Sequence, residues 1–398
     1  MQDVVITGIG VLGPHGVGVE RIAAAARARQ RPFAAWPAAA HPPHAEALIA
    51  QVGDYPKARY FNDRQLRMMD KAMCLSAFAA GTALESAGWA DGQAPGETAT
   101  LLGTMRAEQP SVHKFLQPLL QGRPERINPA EFPQIARNIA CGQLAIRFGL
   151  RGPSTVLASG PLAGLEALAR AADFVAAGRC QVALAGGLDV LSRFSLYVGR
   201  HLYGDCMQAA CPRFFGTETG YLVPSEGACL LVVESAAHAA QRGARPLARL
   251  RGWSAGRAAG QALEPALARG WQRLLSAAQR EPADVGVVAA GAGGGNRPHE
   301  QAETNALAAW LAGSDTPARV SAPCAWVGEG EAWTGALLAA MAVQALTSGD
   351  VPPTAGVCAE APAPLAERGA GGAVAAPCAL VTATESHGAW ISLLLEQP

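Results

Sequence analysis

Lysine is nearly missing from this chain. Its 398 residues hold three, Lys57, Lys71 and Lys114, and arginine supplies almost all the positive charge. No lysine amine is therefore available to chemistry beyond residue 114. Net charge is missing too, with 32 basic against 32 acidic side chains, so nothing points to nucleic acid or an anionic membrane as a partner. Half the residues are hydrophobic, yet no uninterrupted apolar run reaches the ~20 residues that a membrane span needs. The start, "MQDVVITGIG", enters a strand pattern without a basic region or a cleavage site, and the chain reads as unprocessed and cytoplasmic. The nine cysteines form no C-x-x-C pair, and the nearest two, Cys206 and Cys211, have the wrong spacing for zinc or redox work. They read as small buried hydrophobes in a reducing compartment. H-E-x-x-H, D-x-D-x-D-G and Cys/His clusters are all absent, which argues against a metal.

What is present alternates between two periods. "DVVITGIGVLGPHG" is a β-branched run with glycines, and "GVERIAAAARARQ" reads as a helix. "AAWPAAAHPPHAE" reads as a surface excursion. From Asn62 to Trp89 the apolar spacing predicts one long helix, capped by Asn62 or Asp63. "STVL" then leads through a tight turn at Pro161 into a helix that Gly178 stops, followed by the strand "CQVALAGGLDVLS". After a further strand, "LLVVE", the same strand–helix order repeats to the end. This predicts an α/β protein with largely parallel sheets, in two similar halves, residues 1–240 and 241–398. Residues 360–372 read as a flexible loop.

Two glycine-rich stretches imitate ligand sites. Gly8, Gly10 and Gly13 spell G-x-G-x-x-G after a strand, but no acidic residue ends a second strand about twenty residues on. A plain tight turn is the simpler reading. "GAGGGN", Gly291–Asn296, lacks the Lys and Ser/Thr of a phosphate loop and reads as a flexible turn; His299 beyond it reads as a solvated loop or cap residue.

The stretches "VVITGIGVLGPHG", "MMDKAMCLSAFAAGTALESAGW", "NIACGQLAIRFGLRGPS", "AGRCQVALAGGLD" and "PSEGACLLVVESAAHAAQRGA" together carry a resemblance. Over nearly its whole length the chain resembles the β-ketoacyl synthases, the condensing enzymes of the thiolase fold. The resemblance implies two fused βαβαβ halves in a five-layered α/β/α/β/α sandwich that dimerises through its sheets. It also implies acyl chains delivered on the phosphopantetheine arm of an acyl carrier protein, with no other cofactor bound. In active members a cysteine at a helix N-terminus takes the acyl group. Two histidines and a lysine serve decarboxylation and condensation, and two backbone N–H groups form the oxyanion hole.

Carried over position by position, that set is absent. Pro161 stands in the nucleophile's place, with neither a thiol nor a backbone N–H. As the first helical residue a proline is well suited, because that N–H has no intrahelical partner. Ala290 stands near the first histidine's place, Cys324 at the lysine's and Glu329 at the second histidine's. Ser386 falls where a gating phenylalanine would be, with Glu385 and His387 replacing glycines.

A member that keeps the scaffold without the reaction resembles the chain-length factor of type II polyketide synthases. That subunit pairs with a catalytic ketosynthase and shapes the acyl tunnel at their interface. Aromatic systems usually carry glutamine at the place of Pro161, which tilts the resemblance toward highly reducing, polyene-type systems. By resemblance the tunnel and interface segment comprises Met105, Arg106, Gln109, Val112, His113, Phe115 and Leu116. Val112, Phe115 and Leu116 read equally as an ordinary core stripe, whereas Arg106 and His113 suit polar contacts at an interface. Two rivals remain. One is an acyltransferase or hydrolase using Ser159 or Cys324 with His387 as base; the other is a homodimeric module that binds acyl groups or carrier protein.

Overall fold

The computed structural model describes the whole chain except residues 1, 37–46, 91–93, 208–209, 219 and 259, and the side chains of residues 67, 68 and 205. Most of the surface excursion expected before Glu46 falls outside the described residues. Its flanks, Ala34–Ala35 and Leu48–Ile49, pair as a short antiparallel ribbon.

The first half contributes β1 (Val4–Gly13), α1 (Lys71–Ser86), β2 (Ala99–Gly103), α2 (Gln109–Leu120), α3 (Ile139–Phe148), β3 (Ser154–Leu157), α4 (Ala163–Ala176), β4 (Val182–Asp189), α5 (Arg193–Tyr203) and β5 (Gly227–Ser235). The second contributes β6 (Ala248–Arg257), α6 (Leu263–Ala277), β7 (Val285–Ala290), α7 (Pro298–Ala312), β8 (Arg319–Ser321), α8 (Ala332–Ser348), β9 (Cys378–Thr384) and β10 (Ala389–Glu396).

Strand order is β3-β2-β4-β5-β1 in one set and β8-β7-β9-β10-β6 in the other. In each, the first three strands are mutually parallel, and the fourth runs antiparallel to both its neighbours. The expected largely parallel sheets are thus mixed, with one strand of five reversed in each set. A two-residue antiparallel contact, Val5 opposite Arg249 and Ile6 opposite Ala248, joins the sets. Helices α1 and α3 cover one sheet, α6 and α7 cover the other, and α4 and α8 lie between them. This is the five-layered order. Helix α8 is buried at 14 of its 17 positions, as a middle-layer helix must be.

Local chemistry corrects four expectations. The long helix from Asn62 is two helices, because the Asp70 side chain accepts the Met73 N–H at 2.8 Å and starts a new one. Gly8 and Gly10 form no turn; they lie within β1, where a Cβ would collide with the α1 carbonyls of Ala83 and Ala79. Residues 360–372 are not a loose loop, since they contain the helix Ala363–Arg368 with Leu365 buried. Pro161 lies in a 3₁₀ turn, Gly160–Leu162, just ahead of α4 rather than at its first position. Among the described residues no helix is long and apolar enough to cross a membrane.

The middle layer depends on glycine. A Cβ on Gly164 of α4 would press into the Ala332 carbonyl oxygen of α8, and one on Gly335 of α8 would lie 2.9 Å from the Pro161 carbonyl oxygen. Gly→Ala within a helix ordinarily stabilises by about 1 kcal/mol. Gly164→Ala should instead destabilise by about 2–3 kcal/mol, because the two backbones must part. Denaturant unfolding decides the sign, and a stabilised variant would contradict this crossing.

Candidate functional site

Because α4 and α8 cross at their N-termini, both helices open onto one small pocket between the sheets. Pro161 and Leu162 enter from the α4 side, and Thr334, Gly335 and Leu338 from α8. Gly291, Arg297 and His299 come from the β7–α7 connection, Cys324, Glu329 and Glu331 from the β8–α8 connection, and Thr384 and Ser386 from the β9–β10 turn. Its volume is about 30 Å³. Four of the five sequence-derived positions, Pro161, Cys324, Glu329 and Ser386, therefore meet. Ala290 ends β7 fully buried, and its neighbour Gly291 reaches the pocket instead.

An ion cluster fills the remaining space. The Arg297 guanidinium donates to both Glu329 oxygens at 2.8 Å and to Glu300 Oε1 at 3.0 Å, and it lies 5.0 Å from the Tyr203 ring centre. Burial alone would weaken the Arg297 charge, but the two carboxylates reverse that and hold it firmly protonated. Glu300 also accepts the Gly293 N–H at 2.6 Å and the Arg297 N–H at 2.8 Å. Despite its burial, this neighbourhood keeps its carboxyl below the usual range. Glu329 moves the other way: burial outweighs the pull of Arg297 and raises its carboxyl. Beside this cluster, Arg106 pairs with Glu331.

Burial pushes the Cys324 thiol far up and keeps it protonated. The Ser159 hydroxyl donates to Glu166, and among the described residues neither Ser159 nor Cys324 bonds His387. That histidine sits exposed on the β9–β10 turn. The turn is itself closed by hydrogen bonds between Glu385 and Ala389.

Residues 1–239 match the family described as "Beta-ketoacyl synthase, N-terminal domain", and residues 251–357 match "Beta-ketoacyl synthase, C-terminal domain". The chain belongs to the beta-ketoacyl synthase family. It is 30% identical over 377 residues to the tetracenomycin polyketide synthase ketoacyl synthase beta subunit of Streptomyces glaucescens, covering 90% of this chain and 89% of that one. In fold it is similar to the ishigamide ketosynthase/chain length factor, with TM-score 0.86, 22% identity and coverage of 100% and 99%. A second similar structure is described as a type II PKS acyl-carrier protein in complex with its ketosynthase bound to the hexaketide, with TM-score 0.85, 22% identity and 100% coverage of both chains. The fold is the thiolase-like one of ketosynthases.

Within this ketosynthase-like fold, the segment after β2 divides in two. Met105 and Arg106 occupy the turn, where their N–H groups donate to Asp189. Gln109, Val112, Phe115 and Leu116 lie half-buried on α2, and His113 is exposed. Only Ser111 of that helix is buried, so Val112, Phe115 and Leu116 form no core stripe within this chain. The Phe115 ring meets Phe132 edge-on at 5.9 Å, and Phe132 is itself 62% exposed.

His299 is the clearest correction at the site. It is buried rather than solvated, because α7 begins at Pro298 and turns it inward. The glycine stretch before it is likewise no flexible turn, being largely buried and pinned through Glu300. Arg297, Glu300, Glu303, Glu331 and Tyr203 were not singled out in the sequence, and Asp189 entered only as the last residue of "AGRCQVALAGGLD". The available signal was charge in apolar company: Asp189 ends an apolar strand, and Glu329 and Glu331 flank a glycine before an apolar helix.

Glu303 accepts the Gly291 N–H and the Thr384 hydroxyl, both at 3.2 Å, and burial pushes its carboxyl up from 4.5 to about 8. Burial pushes His299, one turn away, down from 6.5 to about 4. The raised acid contributes stability that is present below pH 4.5 and lost as pH rises to 8. The lowered histidine contributes stability that is present above pH 6.5 and lost as pH falls to 4. Their slopes oppose one another until about pH 6.5, beyond which Glu303 acts without His299. Between pH 6.5 and 8 Glu303 should contribute a loss of about 2 kcal/mol of stability, and Glu303→Gln should reduce the slope by that amount. Denaturant melts at the two pH values measure it; equal slopes in both proteins would contradict the assignment.

Proposed function

We propose that this chain is a chain-length factor: a subunit without acyl-transfer chemistry of its own, pairing with a catalytic ketosynthase in a type II polyketide synthase. The observation that carries this reading is the occupied pocket. Where the family places a nucleophile the chain has Pro161, and the space beside it holds the buried Arg297–Glu329 pair. A scaffold kept without its chemistry fits a role in shape and partnership. The beta-subunit name of the S. glaucescens relative supports the same reading. So does the edge position of β3, which among the described residues pairs with β2 alone and leaves its other side open to a partner's strand.

On this reading the acyl chain arrives on the phosphopantetheine arm of an acyl carrier protein and grows in a tunnel between the subunits, in the cytoplasm. The described carrier protein complex of a similar ketosynthase supports that partner. The two halves divide at residues 240 and 241. Pro161 in place of glutamine favours a highly reducing, polyene-type system. The tunnel wall on this side consists of Met105, Arg106, Gln109, Val112, His113, Phe115 and Leu116. Their half-covered faces, together with exposed Leu119, Leu120, Phe132, Phe194, Tyr197 and Leu202 nearby, form the kind of apolar surface that a second subunit covers.

Two measurements test the reading. Radiolabelled acyl carrier protein substrate, offered to the chain alone and to the pair, should label only the partner; label on this chain would defeat the proposal. Overfilling an apolar slot costs of order 1–3 kcal/mol. Phe115→Ala should therefore lengthen the pair's product by at least one extension unit, and an unchanged product would remove this segment as the tunnel floor.

A further inference from the structure

Strand β4 is apolar until its last residue, Asp189, which is 2% exposed. A carboxylate at that depth persists only if its oxygens are well bonded. Here the donors come from two separate parts of the chain. In the turn after β2, Thr104 Oγ1 donates at 3.0 Å, the Met105 N–H at 3.1 Å and the Arg106 N–H at 2.8 Å. From the other half, the Ala332 N–H at the start of α8 donates to Oδ2 at 3.0 Å. That N–H has no intrahelical acceptor, and a helix N-terminus favours a negative charge. Arg106 closes the circuit by pairing with Glu331, the residue just before Ala332. Glu331 holds a left-handed φ of 55°, a conformation that a non-glycine residue keeps only when its surroundings dictate it.

Helix α2 starts three residues after Arg106, and its one buried residue, Ser111, bonds Asp70 at 2.7 Å. Much of the rest of the helix faces outward. Lys114 pairs with Glu131 and Phe115 meets Phe132, tying the helix to its own half, while the turn held by Asp189 ties its start to the opposite half.

We propose that Asp189 is a positioning residue for product length, bolting the Thr104–Arg106 turn to α8 so that α2 presents one fixed face to the tunnel. This rests on the chain-length-factor reading. Asp189 touches no substrate; it acts through Met105, Arg106 and the helix that follows them.

The test co-expresses the ketosynthase partner with the wild-type chain, Asp189→Asn, Asp189→Ala, Thr104→Ser, Thr104→Val and a distant core variant, Leu274→Ala. The readout is the ratio of product lengths, which does not depend on total yield. Asp189→Asn and Asp189→Ala should change that ratio by at least about threefold. Thr104→Val, which removes one donor, should change it less, and Thr104→Ser should restore it. Leu274→Ala destabilises without touching the latch and should leave the ratio alone. Should the Asp189 variants fail to accumulate, Thr104→Val decides, and an unmoved ratio overturns the proposal. Amide hydrogen exchange on the isolated chain separates this inference from the reading beneath it. Asp189→Asn should speed exchange across residues 104–120 and leave β7 and β9 unchanged. If the wild-type chain forms no pair, the chain-length-factor reading fails; if exchange at 104–120 does not change, the latch itself fails.

Discussion

At Gly164 and Gly335 the two middle helices approach so closely that neither position tolerates a side chain, and the rest of the architecture follows from that approach. Each helix occupies the same place in its own half, between the third strand and the fourth. Bringing them together backbone to backbone brings both N-termini to one spot and delivers four separate connections there. In a catalytic relative of this fold, such a spot suits chemistry because helix N-termini favour negative charge. Here Pro161 lies at that spot, with Arg297 and Glu329 lining it.

What replaces it is costly in its own way. Arg297, Glu300 and Glu329 are charged groups held away from water, and burying such a cluster seldom stabilises a protein relative to apolar packing. Its effect lies in occupancy. A guanidinium clamped between two carboxylates takes up space beside Pro161. Removing one partner would strand the others at a cost of about 3–5 kcal/mol, so the cluster is held together by mutual dependence. Arg106 and Glu331 extend this polar seam toward the surface helix α2, and Asp189 ties the same seam to β4.

The alternation of strands and helices, the duplication and the convergence of Pro161, Cys324, Glu329 and Ser386 were all legible in the sequence. The first two rest on local periodicity, and the third on positions that the family resemblance implied. The break at Asp70 is a local cap that the apolar spacing overrode, but several other misreadings share one cause, which is contact between distant residues. Gly8 and Gly10 resembled a turn because nothing local shows α1 lying against them. His299 and the glycines before it resembled an exposed loop because their cover comes from residues far along the chain. Arg297 finds Glu329 across 32 positions, and Arg106 finds Glu331 across 225. No periodicity records such pairings. The local hints, an acid closing an apolar strand at Asp189 and two acids before an apolar helix at Glu329 and Glu331, carried information that only their partners disclose.

If the work of this chain has moved from its pocket to its surface, specificity travels with the segment Met105–Leu116 rather than with the occupied site. The most direct measurement exchanges that segment with its counterpart from a chain-length factor whose pair makes a product of different length, keeping the ketosynthase constant. The account predicts that product length follows the exchanged segment. Product length that stays with the ketosynthase, whichever segment is present, would contradict it.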